Sequence, residues 1–339
     1  MGGEKPRLRT PTLKDIAREL GISAMAVSKA LNGKGGVGAE TLQRVKETAE
    51  RLNYQPNAVA KSLRLSSTKT IGVVVSDSSL SFFAKVVKGI EETASRNGYS
   101  IILCNTDQDC SKEKLAIQVL VNKRIDGLIL AASMLTRKED VAYLRSFGIP
   151  FVFLIRRSEA EEVDYVINDN IGGACQMVDY LVGSGSRKVH FINLNEEIPS
   201  RKDRLSGYRK ALEENGISYE PSLVRSVKPT IEDGHSAMVE LLDGKEEIQA
   251  VFCGCDVIGI GVMEAILERG LRIPQDIRVA AYDDIDFAAY LRVPLTTVRQ
   301  PKFTIGCKGT ELLIEKIRVG GQEAKHLVLQ PELVIRMST

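Results

Sequence analysis

Hydrophobic positions along this chain follow two different periods, and the change falls near residue 70. Between Thr12 and Leu52 apolar residues recur three or four apart, the spacing of one helix face. In TLKDIARELGISAMAVSKALN, Ile16, Ala17 and Leu20 share a face, and Thr12 with Asp15 makes a capping-box-like start. Gly21 stops that helix at a left-handed or tight-turn position. Ser23 caps a second helix that points Val27, Ala30 and Leu31 back at the first. Ala24, Met25, Ser28, Lys29 and Asn32 are left facing outward. After a Gly-rich loop, Gly33 to Gly38, a third helix is predicted from about Glu40 to Leu52. Its Leu42, Val45, Ala49 and Leu52 close a small three-helix core. NYQPN, Asn53 to Asn57, reads as a turn in which Pro56 blocks continuation of the helix. Asn57 then caps a further short helix, Ala58 to Arg64, too small to persist in water unless docked. SSTKT, Ser66 to Thr70, follows as a linker.

From residue 71 the period shortens. IGVVV (71–75), SIILC (100–104), GLILA (127–131), FVFLI (151–155), KVHFI (188–192), AVFC (250–253) and IRVAAY (277–282) are short β-rich apolar runs. Amphipathic helical stretches such as FAKVVKGIEETASRNG and KLAIQVLVNKRIDG lie between most of them. Strands apolar on both faces and separated by helices make a parallel α/β sheet. Seven such runs exceed one usual doubly wound domain, and two similar half-domains fit better. Ligands in such folds bind at the carboxyl ends of the strands, in the cleft between the halves.

Charge sharpens the reading of the first seventy residues. They hold 13 Lys/Arg against 6 Asp/Glu, whereas the whole chain holds 46 against 44, so a basic head sits on an acidic body. That asymmetry points to a polyanion partner for the head, with a salt-sensitive, phosphate-driven share of affinity. An ordinary helical hairpin would show the same periodicity. The basic charge and the small outward residues favour a helix-turn-helix that enters a DNA major groove.

Length and composition bound the rest. A chain of 339 residues implies two or three domains, and 43% hydrophobic with 27% charged residues is the balance of a globular protein. No apolar run of about 18 residues exists to span a membrane. MGGEKPRLRTP has no apolar h-region, so a cytoplasmic location is expected. Six scattered cysteines are expected to be reduced thiols. Cys253 and Cys255, in AVFCGC, read as packing in a buried strand, with a metal or redox site as the alternative. Enzyme chemistry finds little support. His190, His235 and His326 are isolated from metal-ligand spacing, and no GxxxxGK[ST] loop or GxSxG elbow occurs. No catalytic residue, metal ligand or cofactor is assigned.

TLKDIARELGIS with AVSKALN, LNYQPNAVAKSL, DGLIL, DRLSGY, AVFCGCD, and AYDDIDF with PLTTVRQP occur in an order and spacing that resemble the LacI/GalR family of transcription regulators. The likeness runs from about residue 12 to the end. It implies a helix-turn-helix head of three helices with a hinge helix, then a periplasmic-binding-protein-like (type I) body of two doubly wound parallel α/β subdomains. The implied boundaries are 1–56 for the head, 57–70 for hinge helix and linker, and 71–339 for the body. Within the body, the resemblance gives an N-subdomain of about 71–168 plus 298–326, and a C-subdomain of 169–297 plus 327–339.

Site residues follow by the same resemblance. Ala24, Met25 and Lys29 take the recognition-helix positions that reach base edges. Lys29 can donate to guanine, though not bidentately as Arg does. Leu13, Ser23, Ser28, Asn32, Tyr54 and Asn57 match positions that mostly hold phosphates or register, and Lys14 and Arg64 are expected to contact DNA with them. Leu63 with Ala60 matches the hinge-helix wedge that opens the minor groove, and a packed hinge residue is the other reading of Leu63. In the cleft, Arg204 and Asp256 match the pair that grips the effector, with Ser76, Phe82, Ser200 and Asp284 near the same crevice. A surface ion pair for Arg204 and a helix cap for Asp256 remain open.

Two departures bear on the effector. VKPTIEDGH places Pro229 where relatives often put an aromatic over the ligand, and the chain has no Trp. Ile155 replaces a common acidic residue and is followed by Arg156 and Arg157. Added guanidinium groups favour carboxylate or phosphate, so an anionic effector, a sugar phosphate or organic acid, is expected. Solvated loop charges are the alternative. The whole reads as a dimeric regulator, most simply a repressor, on a pseudo-palindromic operator, with affinity set by a small metabolite. LVIRMST carries no Leu-heptad tail for tetramerisation. Control by a protein partner, or a solute-binding role, are the alternatives.

Overall fold

The computed structural model describes all residues except 1–10, 32–35, 55–66, 132, 159, 161, 196–199, 245–246 and 321–322. It divides into two compact units, residues 1–68 and 69–339.

The first unit holds α1 (Leu13–Leu20), α2 (Ala24–Leu31) and α3 (Ala39–Arg51). Thr12 donates its N–H and its hydroxyl to the Asp15 carboxylate at 2.9 and 2.7 Å. The Asp15 N–H donates to the Thr12 carbonyl at 3.0 Å. Asp15 is therefore the stronger half of the cap, because the Thr12 hydroxyl gives its proton to the carboxylate. Gly21, at φ 65°, takes the left-handed conformation that ends α1 without a Cβ penalty. Ser23 Oγ accepts the Ala26 N–H at 3.1 Å and starts α2. Ile16, Ala17, Val27, Ala30, Val45 and Ala49 form the core, ringed by Leu13, Leu20, Leu31, Leu42, Leu52 and Tyr54.

The second unit is built on two six-stranded sheets. The first contains β1 (Thr70–Val75), β2 (Ser100–Asn105), β3 (Gly127–Ala131), β4 (Phe151–Leu154), β5 (Tyr165–Asn168) and β11 (His326–Leu329), in the order β11-β5-β4-β3-β1-β2 and all parallel. The second contains β6 (Val189–Leu194), β7 (Val224–Val227), β8 (Ala250–Cys253), β9 (Arg278–Asp283), β10 (Thr296–Arg299) and β12 (Glu332–Val334), in the order β12-β10-β9-β8-β6-β7. Only β12 runs antiparallel, against β10.

Helices cover both faces of each sheet, as parallel strands require. On the first sheet, α4 (Ser81–Arg96) and α11 (Lys302–Val319) bury Val86, Ile90, Ile305 and Leu313 against Ile71, Ile129 and Val152. α5 (Cys110–Asn122) and α6 (Lys138–Arg145) pack Ile117, Leu120 and Leu144 on the other face. On the second sheet, α9 (Ile231–Asp243) and α10 (Asp256–Glu268) cover one face, and α7 (Asn170–Gly183) and α8 (Ser200–Glu214) the other. Gly89 and Gly306 let α4 and α11 cross closely, since a Cβ on either would strike a carbonyl oxygen of the facing helix. This contact fastens the late helix α11 to the first lobe.

The seven predicted runs each form a strand. Five short strands, β5, β7, β10, β11 and β12, are only three or four residues long and include polar members; two of the four residues of VRSV and three of the four of TTVR are polar. Their pairing also moves the chain crossings. β10 pairs with β9 through Arg299, so residues 298–299 belong with the second lobe. β11 pairs with β5 over 326–329, so residues 327–329 stay with the first lobe. The third crossing falls between β11 and β12. The strand β2 departs in another way. Expected to be apolar and covered, it is an exposed edge, with Ile102 37% and Leu103 38% accessible.

Candidate DNA-reading helix and effector crevice

On α2 the inward positions Val27 and Ala30 are buried and Met25 is 70% accessible. Lys14 and Lys29 are exposed, while Ala24 and Ser28 are half-buried. Ser23 is exposed, but its hydroxyl oxygen is engaged as the helix cap. Leu13 and Tyr54 pack against the three-helix core, and burial pushes the Tyr54 hydroxyl above its ordinary range. The exposed side chains of α2 thus include a thioether and an ammonium on a short helix backed by the three-helix core. Asn32, Asn57, Ala60, Leu63 and Arg64, with the predicted hinge helix, lie outside the described residues.

In the body, the strand ends of the two sheets supply the candidate effector site. Ser76 follows β1 and is buried; Phe82 on α4 is half-buried, its ring centre 5.8 Å from Lys302 Nζ. Arg156 follows β4 after Ile155, which adopts φ 73°. A β-branched residue is strained there, and strain of this kind gathers at functional sites. Asp107 and Gln108, after β2, also have positive φ, at 51° and 59°. The Arg156 side chain turns inward. Nη1 donates to the Ser133 carbonyl at 3.2 Å and Met134 Sδ at 2.8 Å, and Nη2 donates to Gln108 Oε1 at 3.3 Å. Behind it, Glu113 accepts from the Ser133 hydroxyl and from the Met134 N–H at 2.9 Å. Burial raises the Glu113 carboxyl and lowers the Arg156 guanidinium. Arg156 therefore staples three strand ends of one wall together.

The opposite wall centres on Arg204, 4% accessible on α8. Its Nε donates to Asn170 Oδ1 at 3.3 Å, Nη1 to the Gly254 carbonyl, and Nη2 to Asp283 Oδ1 at 3.3 Å. The guanidinium lies 3.8 Å from the centre of the Tyr282 ring, a cation–π contact in a desolvated setting. Asp283 also accepts from Gln300 Nε2 at 2.6 Å. Lys302 Nζ donates to the Asp283 carbonyl, and to that of Asp284 at 2.8 Å.

Asp256 is fully buried at the start of α10. It accepts the Ile285 N–H at 2.7 Å and the Thr297 hydroxyl at 2.5 Å. Burial first, and the Asp283 charge second, push its carboxyl up to about 8. Asp284 accepts from Arg299 Nε and Arg336 Nη2, both at 2.6 Å. Burial opposes its ionisation, but those two guanidinium bonds outweigh it and hold the carboxyl below its ordinary value. Ser200 stands half-buried in the first turn of α8.

Residues 12–57 match the family described as "Bacterial regulatory proteins, lacI family". Residues 68–336 match "Periplasmic binding proteins and sugar binding domain of LacI family". The chain belongs to the LacI family. The HTH-type transcriptional repressor PurR of Vibrio atlanticus (strain LGP32) is 34% identical over 325 residues, spanning 96% of this chain and 97% of that protein. PurR of Pasteurella multocida (strain Pm70) is 34% identical over 328 residues, 96% and 98% of the two chains. The lac repressor dimer bound to operator and the anti-inducer ONPF shares the fold with a TM-score of 0.88 at 26% identity, covering 97% of this chain and 99% of that one. The CelR–cellobiose complex gives 0.74 at 30% identity, covering 97% and 100%.

Within this LacI-family crevice the carboxylates fall into separate networks. Arg204 is paired with Asp283, whereas Asp256 clips the 285 loop and β10 to the start of α10 and has both oxygens occupied. Asp284 is likewise taken up by Arg299 and Arg336. Sequence reasoning passed over Asp283, Asn170 and Lys302. The doublet Asp283–Asp284 at the end of an apolar strand was the available signal, but adjacency alone cannot say which carboxylate faces the crevice. The two added guanidinium groups are both engaged by protein groups. Arg156 is engaged inside its own wall, and Arg157 Nη2 lies 3.1 Å from Asp203 Oδ1. Cys253 and Cys255 are buried, and burial drives Cys253 well above its ordinary range and Cys255 to about 12. Thiols held so high disfavour the thiolate needed for metal or redox chemistry.

Proposed function

We propose that this protein is a dimeric, sequence-specific transcriptional repressor whose operator affinity is set by a small effector held between the two lobes of the body. The carrying observation is a rigid helix-turn-helix presenting Met25 and Lys29 on a LacI-family head, continuous in sequence with a two-lobed ligand-binding body. Met25 contributes apolar contact to thymine methyls or excludes water, and Lys29 donates to base or phosphate acceptors.

The dimer is supported by the uncovered edge of the first sheet. Ile102 and Leu103 on β2 are exposed beside Leu115 and Val119 of α5, which are 62% and 45% accessible. An apolar strand edge is an aggregation hazard unless a partner covers it, and a second copy of this chain is the symmetric partner that a pseudo-palindrome demands.

The effector we infer is a neutral, hydroxyl-rich molecule. Two charge pairs of the crevice are matched internally, Arg204 with Asp283 and Arg157 with Asp203, so an ionic group brought to either would find its counter-charge already engaged. Sugar hydroxyls both donate and accept, and suit such a paired wall. The cellobiose held by CelR has this chemistry. The crevice is read as binding rather than catalytic, because Asp256, whose carboxyl is pushed up to about 8, is engaged by two protein donors.

Selection of random duplexes by the purified full-length protein tests the reading. A pseudo-palindromic consensus is expected. Recovery of no consensus, both alone and with a panel of neutral sugars, would overturn it.

A further inference from the structure

Among the described residues, two ion pairs join the lobes of the body directly. Arg157, after β4 in the first lobe, meets Asp203, on α8 in the second, at 3.1 Å. Lys85, on α4 in the first lobe, meets Asp286, just beyond β9 in the second. The Arg157–Asp203 pair is placed to report on the effector. Asp203 immediately precedes Arg204, the central guanidinium of the second wall. Arg157 immediately follows Arg156, whose side chain is fixed by Ser133, Met134 and Gln108. Both partners are therefore anchored by a neighbour that belongs to the crevice.

Their exposure differs in a useful way. The Asp203 side chain is 24% accessible and that of Arg157 is 57%. Burial raises the Asp203 carboxyl, and Arg157 followed by Arg204 are the charges that counter it. Removing Arg157 leaves a half-buried carboxylate with less compensation. Yet the pair stays open enough to water to be parted at small cost, as exposed ion pairs are.

We propose that Arg157–Asp203 is a latch between the lobes, with Lys85–Asp286 as its counterpart, and that it sets how far the ligand-free crevice opens. This rests on reading the crevice as the effector site. A ligand seated against Arg204 must either preserve the latch or replace Asp203 as the partner of Arg157. The latch then fixes the starting population on which the effector acts. Neutralising either partner shifts that population by about two- to fivefold.

Hydrogen–deuterium exchange on the full-length protein tests this without needing a ligand or DNA. In R157A and in D203N, amides 155–158 and 200–206 are expected to exchange about two- to fivefold faster than in wild type. The charge-swapped double variant R157D/D203R is expected to return them toward the wild-type rate, and high salt should accelerate wild type but not R157A. Unchanged exchange in both single variants, or a swap no slower than the singles, would overturn the latch. Should a variant at 157 or 203 fail to fold, K85A provides the same test on the second pair, read at amides 284–288. Operator selection with wild type reports separately on the regulator reading, so loss of one leaves the other standing.

Discussion

In each sheet of the body the first strand lies between the second and third, two further strands extend the sheet, and a returning segment supplies the sixth. The sixth strand is parallel in the first lobe and antiparallel in the second. On this shared frame the surfaces diverge. The edge strand β2 of the first lobe is SIILCN and shows apolar side chains to solvent; its counterpart β7 in the second is VRSV. The walls of the crevice diverge as well. Arg156 spends its guanidinium inside the first lobe, tying strand ends together. Arg204 spends its own on residues that line the second wall and lie beside the chain crossing at Gln300 and Lys302. Repetition of a fold therefore fixes where strand ends converge, while single side chains decide which edge is left apolar and how each wall is tied.

Substitution of the two arginines is the sharpest way to break this comparison. Arg204→Met leaves Asp283 without its guanidinium in a largely buried site and is expected to cost about 3–5 kcal/mol, with loss of ligand response. Arg156→Met removes hydrogen bonds from one wall and is expected to cost about 1–3 kcal/mol while leaving the response in place. Urea unfolding and ligand-induced thermal shifts measure both. If Arg156→Met abolished the response and Arg204→Met did not, the roles would be reversed.

The edges offer the next contrast. Leu103→Arg on β2 is expected to shift sedimentation toward monomer and weaken operator binding by about tenfold or more, because two half-sites must be held together. Ser226→Arg on β7 should leave both unchanged.

Asp256 distinguishes the second lobe by pH. Its folded carboxyl keeps a proton up to about 8, against an ordinary value of 3.8. Above the ordinary value the unfolded state has released its proton and the folded state has not. The stability it contributes is therefore fully present below that value and is lost as pH rises through about 8. Asp256→Asn preserves an acceptor for the Ile285 N–H and removes the titration. Its melting temperature should fall less steeply than that of wild type from about pH 6 to about pH 8, and parallel curves would contradict the assignment.

The smallest effect is in the head. Asp15→Ala removes the acceptor for both Thr12 donors and should cost about 1 kcal/mol in that unit alone. Faster amide exchange in α1 with an unchanged body transition would show it.

The head was legible because its signals are local: a Thr–Asp start, Gly21 in the left-handed region, Ser23 as a cap, and helical spacing of the core. Strands buried on both faces were legible for a similar reason, as continuous apolar runs. β5, β7, β10, β11 and β12 were not, because three or four residues with polar members carry no periodicity. The crossings depended on which sheet β10 and β11 join, and that pairing is long-range. Arg204 was legible from its motif. Its partner was not, since Asp256 and Asp283 both stand at strand ends and only the packing of Thr297 and Ile285 around Asp256 separates them. The orientations of Arg156 and Arg157 were equally hidden; neighbouring residues point to opposite sides, one into its own wall and one across to α8.

The central claim is that operator and effector bias one two-state body, and linkage tests it most directly. Operator affinity is measured by fluorescence anisotropy with and without a saturating sugar that raises the melting temperature, and sugar affinity by calorimetry with and without operator. The account predicts that both affinities change by the same factor. A sugar that binds the body while leaving operator affinity unaltered would contradict it.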